Sequence, residues 1–106
     1  MTDQIRASHI LIMHQGSERS TSTRTKDEAL AEINRLKAEI EGGADFEDLA
    51  GEHSDCVSGQ QGGALGFFGR GMMVPEFEDA AFALDVGGLS AVVETAFGYH
   101  LILRTA

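Results

Sequence analysis

Residues 5–13 read IRASHILIM, which places Ile5, Ala7, His9, Leu11 and Met13 on one face of an extended chain and Ile10 and Ile12 on the other. Apolar residues on both faces at the end of this run predict an inner strand covered on two sides. The polar stretch HQGSERSTSTRT that follows is a surface loop ending in a helix start. Thr25 and Glu28 have capping-box spacing, and Ala29, Ile33, Leu36 and Ile40 then form the stripe of an amphipathic helix. Gly42-Gly43 ends it, because glycine supplies the left-handed exit that helix C-termini often use. Asp45 caps a shorter helix over Phe46 to about Glu52, with Phe46, Leu49 and Ala50 facing inward.

From Gly59 to Gly71 the chain reads GQQGGALGFFGRG, six glycines in thirteen residues. The spacing is irregular and proline is absent, so this is not collagen, and no Gly-Lys-Ser/Thr follows to make a phosphate loop. The glycines predict tight turns and close backbone approach around a short strand at Ala64 to Phe67. Glu76 to Leu84 reads as a third helix with Phe77, Ala80, Ala81 and Leu84 inward, stopped by Gly87-Gly88. Ala91 to Glu94 and Tyr99 to Arg104 form two strands joined by a tight turn through Phe97-Gly98. The predicted fold is α+β in β-α-α-β-α-β-β order, a four-stranded sheet covered by helices.

Length and charge narrow the function. A chain of 106 residues forms one compact domain, taken here as residues 1–106, and 42% hydrophobic content suits a globular core. A formal net charge of −9 leaves no basic footprint for nucleic acid and disfavours adhesion to anionic membranes. No window approaches eighteen consecutive apolar residues, and the N-terminus carries Asp3 and no cleavage-site pattern, which points to a cytoplasmic protein. A monomer is the default for this size and composition. Cys56 is the single cysteine, so an internal disulfide is impossible, and the four histidines lack the spacing of a metal motif. No metal site is expected from these residues.

His9 sits in the middle of one apolar strand and His100 in the middle of another, so the two can stand side by side, with Cys56 near both. Core histidines satisfied by neighbouring hydroxyls or carbonyls explain the pattern as well as a reactive site does. Cys56 reads equally as a buried small hydrophobe or a reactive thiol. A Cys-His hydrolase is conceivable, but no nucleophile-elbow or papain-like surround supports it. Met72, Met73, Phe77, Phe67, Phe68 and Leu65 gather in and just after the glycine stretch, several of them in glycine-rich loops and not at helical spacing, which favours the rim of an apolar pocket.

Read together, ASHILI, ADFEDLA, HSDC, GGALGFFGRGMMVPEFEDAAFAL and FGYHLILRT resemble the parvulin family of peptidyl-prolyl cis/trans isomerases over about Ile5 to Thr105. The likeness extends to the parvulin domain of Pin-type enzymes through SDC and ILRT. The resemblance implies an antiparallel sheet with its first and last strands central, and non-covalent rotation about X-Pro bonds without a cofactor. It implies His9 and His100 as paired histidines, Cys56 above them and Thr95 completing a polar floor. Leu65, Met73 and Phe77 would grip the proline ring, with Phe97 at the pocket edge. Proline-containing peptides and protein clients would be its partners. A chaperone-like module that holds such segments without turnover is the competing function. Pin-type enzymes that prefer phosphoserine or phosphothreonine carry a lysine and an arginine pair where this chain has Met13, Glu18 and Arg19. Phospho-specificity is therefore not expected, unless Arg24 compensates beside Arg19. No WW domain or trailing chaperone region is evident, so substrates would be found by the pocket and loop alone.

Overall fold

The computed structural model describes residues 4–18 and 20–106. Strand β1 (Gln4–Ile12) leads into helices α1 (Lys26–Glu41) and α2 (Phe46–His53), then a 3-10 helix at Val57–Gln61. Strand β2 (Ala64–Gly69), helix α3 (Pro75–Phe82), and strands β3 (Val93–Thr95) and β4 (Gly98–Arg104) follow. The sheet is antiparallel throughout, in the order β2-β1-β4-β3, so the first and last strands are central.

The two faces of β1 carry different cores. Ile10 and Ile12 join Tyr99 and Leu101 of β4 beneath Ala29, Ile33 and Leu36 of α1 and Phe46, Leu49 and Ala50 of α2. Ile5, Ala7, Phe68 and Ile102 pack on the opposite face against Phe77 and Ala81 of α3. Both arms of the capping box at Thr25 are made, and the Asp45 carboxylate accepts the Glu47 amide to start α2. At the end of α1, Gly42 stays near helical geometry and Gly43 takes the positive φ of 111°.

Several boundaries differ from the sequence reading for local reasons. β1 stops at Ile12, because the Met13 amide donates to the Asp55 carboxylate (2.8 Å) and not to a neighbouring strand. α3 begins at Pro75, whose missing N–H costs nothing at the first helical position. It ends at Phe82, before Leu84 and well before the glycine pair. The Leu84 carbonyl is instead taken by the Arg104 guanidinium at 2.7 Å. β2 runs two residues longer than expected, and the terminal hairpin turns between the paired residues Thr95 and Gly98.

The connection from α2 to β2 completes the upper half of β1. The β1–β2 register shifts between Arg6 and Ser8, and loop groups take over the ladder from there. Gly63 O accepts the His9 amide (2.9 Å), Ser54 Oγ accepts the Leu11 amide (3.0 Å), and the Asp55 amide donates to Leu11 O (2.7 Å). This stitching brings residues 54–63 beside His9.

Candidate active site

His9 and His100 occupy the same face of β1 and β4. His9 pairs across the ladder with Ile102 and His100 with Leu11, so the two histidines are diagonal neighbours. Their rings stack at 5.3 Å between centroids, and their Nδ1 atoms approach to 3.1 Å. One of those nitrogens must donate and the other accept. The outer edges are also satisfied: His9 Nε2 meets Ser58 Oγ at 3.2 Å, and His100 Nε2 meets Thr95 Oγ1 at 2.8 Å. Thr95 Oγ1 further accepts the Phe97 amide at 3.1 Å. The result is a buried chain Ser58–His9–His100–Thr95 with every ring nitrogen paired. Burial, with the neighbouring His9 charge adding to it, pushes the His100 pKa down to about 3. His100 is therefore neutral at physiological pH.

Over this floor opens a cavity of about 240 Å³ lined by Met72, Met73, Val74, Phe77 and Phe97 together with the two imidazoles. Phe77 presents its ring edge-on to both histidines, at 5.5 Å from His9 and 5.4 Å from His100. Among the residues expected at the pocket, Met73, Phe77 and Phe97 line it. Leu65 is not part of that lining: it is half-buried in the cluster that also holds Met73 and Phe77. Phe68 is core, and Phe67 lies outside under the Arg6 guanidinium. Ser58 and Val74 had no sequence signal, since neither falls in a periodic segment.

Cys56 stands at the N-cap of the 3-10 helix, half-exposed, near His9. Hydrogen bonding from His9, helped by Ser58 and opposed by partial burial, draws its pKa from 9.0 down to about 6. The thiolate fraction therefore rises with pH through about 6. Iodoacetamide labelling followed by mass spectrometry should show that midpoint, moving towards 9 in His9→Ala; an unshifted midpoint would remove His9 as the cause.

A second, polar cleft of about 530 Å³ lies between Met13, Asp55 and the segment Thr21 to Arg24. The Arg24 guanidinium is not free there: it pairs with the Asp55 carboxylate at 2.9 Å and reaches Met13 O at 3.5 Å. The Glu18 amide donates to Ala96 O at 2.8 Å, which fixes this acidic residue against the turn beside Phe97. The expected contact at Arg19 lies outside the described residues. Among the described residues, no group of three potential metal ligands forms, and no helix is long and apolar enough to cross a membrane.

A four-stranded antiparallel sheet with central first and last strands, helices on both faces and a stacked histidine pair under an apolar cavity is the parvulin arrangement. The family described as the PPIC-type PPIASE domain matches residues 1–105. A peptidyl-prolyl cis-trans isomerase Pin1 of Digitalis lanata is 45% identical, over 98% of this chain and 98% of its own length. The structure of the peptidyl-prolyl isomerase ESS1 from Candida albicans superposes with a TM-score of 0.92 at 37% identity, covering all of this chain and 66% of that one. PrsA from Bacillus anthracis superposes at 0.80 with 37% identity, over 99% of this chain and 42% of its own. The chain belongs to the PPIC-type peptidyl-prolyl isomerase family, and its activity is cis/trans isomerisation of X-Pro bonds.

Proposed function

We propose that the enzyme acts by non-covalent rotation on unphosphorylated X-Pro segments, with the proline ring seated in the cavity over Phe77. The observation that carries this is the coincidence of an apolar ring-sized cavity with a hydrogen-bonded imidazole floor in which His100 is neutral. A planar X-Pro amide is charge-separated by resonance, and rotation through the barrier of about 20 kcal/mol removes that separation. Dry apolar walls therefore favour the twisted amide over the planar one, which is differential binding of the transition state. Each preference of about 1.4 kcal/mol is worth tenfold in rate.

Within this reading Met73, Phe77 and Phe97 clamp the ring while the preceding carbonyl swings past His9 and Cys56. A thiolate at Cys56 opposes negative charge on that carbonyl oxygen and so disfavours the planar resonance form. His100 and Thr95 hold the orientation of His9 and transfer no proton. Leu65 packs in the cluster that holds Met73 and Phe77 and so supports that clamp.

Several features support a preference for unphosphorylated sequences. Arg24 is already neutralised by Asp55, Met13 stands where a lysine would serve a phosphate, and Glu18 is anchored beside the cavity. The Glu18 carboxylate would meet an incoming phosphate there with like charge. Exchange spectroscopy on matched Glu-Pro and phosphoserine-Pro peptides tests this. The expected kcat/KM for the phosphorylated peptide is no higher than for its Glu-Pro counterpart; a large excess for phosphoserine-Pro would overturn the proposal.

A further inference from the structure

The outer wall of the cavity, Met72 and Met73, belongs to the segment that joins β2 to α3. Among the described residues, no backbone–backbone hydrogen bond ties positions 70–73 to the rest of the protein, and the Gly69 amide donates to Met72 Sδ at 3.2 Å from the β2 side. Its polar attachments to α3 converge on one side chain. The Glu78 carboxylate accepts the Gly71 amide through Oε1, and its Oε2 lies 3.7 Å from Arg70 Nη1. Arg70 in turn lies over the Phe82 ring, 4.3 Å from its centroid. Gly71 turns at a φ of 88°, which leaves its amide free to point at α3.

An exposed ion pair is ordinarily worth little. Here the carboxylate side is different, because the Glu78 side chain is only 17% exposed while Arg70 is 56% exposed. A largely desolvated carboxylate that accepts a backbone amide makes one of the stronger hydrogen bonds available to a loop. Glu78 also sits one residue after Phe77, so it fixes the wall relative to the ring that backs the histidine pair.

We propose that Glu78 is a positioning residue for the proline pocket, holding the Met72-Met73 wall over Phe77 through Gly71 and Arg70. The inference rests on the pocket reading above. It assigns Glu78 to substrate capture and not to the rotation step, since no part of the histidine network touches it.

The test uses Glu78→Ala and Glu78→Gln, the second retaining a carbonyl oxygen for the Gly71 amide. For an Ala-Pro peptide, Glu78→Ala should raise KM about tenfold, the size of a lost charge-assisted hydrogen bond, with kcat within about twofold of wild type. Glu78→Gln should recover most of that loss. In the methyl spectrum of the free protein, the Met73 ε-methyl should leave its ring-shifted position in Glu78→Ala and stay near it in Glu78→Gln. Should Glu78→Ala not fold, Arg70→Ala removes one of the two ties and should move the same methyl in the same direction by less. An unmoved methyl overturns the proposal whether or not KM rises, as does a moved methyl with unchanged KM. If the wild type shows no turnover, peptide dissociation constants replace KM, so failure of the isomerase reading stays separate from failure of the wall.

Discussion

Gly63→Ala is expected to lower the unfolding free energy by about 3 kcal/mol or more and to abolish most of the isomerase activity at 37 °C. Gly63 has a φ of 85°, a region that costs an L-residue about 1–2 kcal/mol. The larger part is steric. A Cβ at this position would lie 2.3 Å from the His9 carbonyl oxygen and 3.2 Å from Ala50 Cβ. Neither neighbour is the flexible end of a side chain: one is the backbone of a central strand and the other the first side-chain atom of a buried helix residue. Relief requires β1 and the 54–63 connection to part, breaking the bond from the His9 amide to Gly63 O and that from the Gly63 amide to Ser58 O. Ser58 and His9 would then lose their register with each other, so the site fails together with the fold. Gly87→Ala is the control, having a similar φ of 87° and nothing within 4 Å of the added carbon. Urea unfolding of the two variants separates the backbone cost from the clash. Equal destabilisation by both would show that the contact with β1 is not what requires glycine at 63.

Acidification supplies the second large effect. With its pKa near 3, His100 stays neutral in the folded protein, whereas it takes up a proton near its ordinary 6.5 once the chain unfolds. Between those values the unfolded state binds the extra proton, so stability rises with pH across that window and falls as pH is lowered through it. The slope below 6.5 approaches about 1.4 kcal/mol per pH unit, which amounts to about 2.5 kcal/mol between pH 7 and 4.5. That interval lies mostly above the range where ordinary carboxylates protonate, which keeps their contribution small. Urea unfolding at pH 7, 6, 5 and 4.5 should show this slope in the wild type and a much flatter one in His100→Gln. Parallel curves for the two proteins would mean that His100 is not the group responsible.

The elements were legible in the sequence wherever side-chain periodicity was strong. The both-faces pattern of residues 5–13 marked an inner strand, and the Thr25–Glu28 box with the 29–33–36–40 stripe marked α1. What escaped the reading lies in aperiodic chain. The 3-10 helix at Val57–Gln61 has no apolar stripe, so Ser58, the partner of His9, was invisible with it. The face of Leu65 was hard to assign for a related reason. The register shift opposite Arg6 and Ser8, with Gly66 at positive φ, breaks the alternation by which a strand residue would be assigned to a face. The histidine pair was legible as a possibility because each histidine interrupts an otherwise apolar strand. Their diagonal register, and the hydroxyls that close the chain at each end, depend on tertiary placement that no local pattern encodes.

Thr95 illustrates the same division. Its hydroxyl was expected in the polar floor by resemblance, and it does bond to His100, yet it does so from beneath the cavity and not as part of its lining. Arg24 shows the opposite case, a charge whose sequence position suggested availability but whose partner, Asp55, comes from a distant loop.

The most direct test of the account is two-dimensional exchange NMR on an unphosphorylated Ala-Pro peptide with a catalytic amount of the wild-type protein. Catalysis by this cavity should give cis–trans exchange cross-peaks that are absent without enzyme, persist without added metal or cofactor, and weaken when Phe77 is replaced by Leu. Peptide-induced shifts at the cavity residues without accelerated exchange would contradict it and leave a proline-binding module in place of an enzyme.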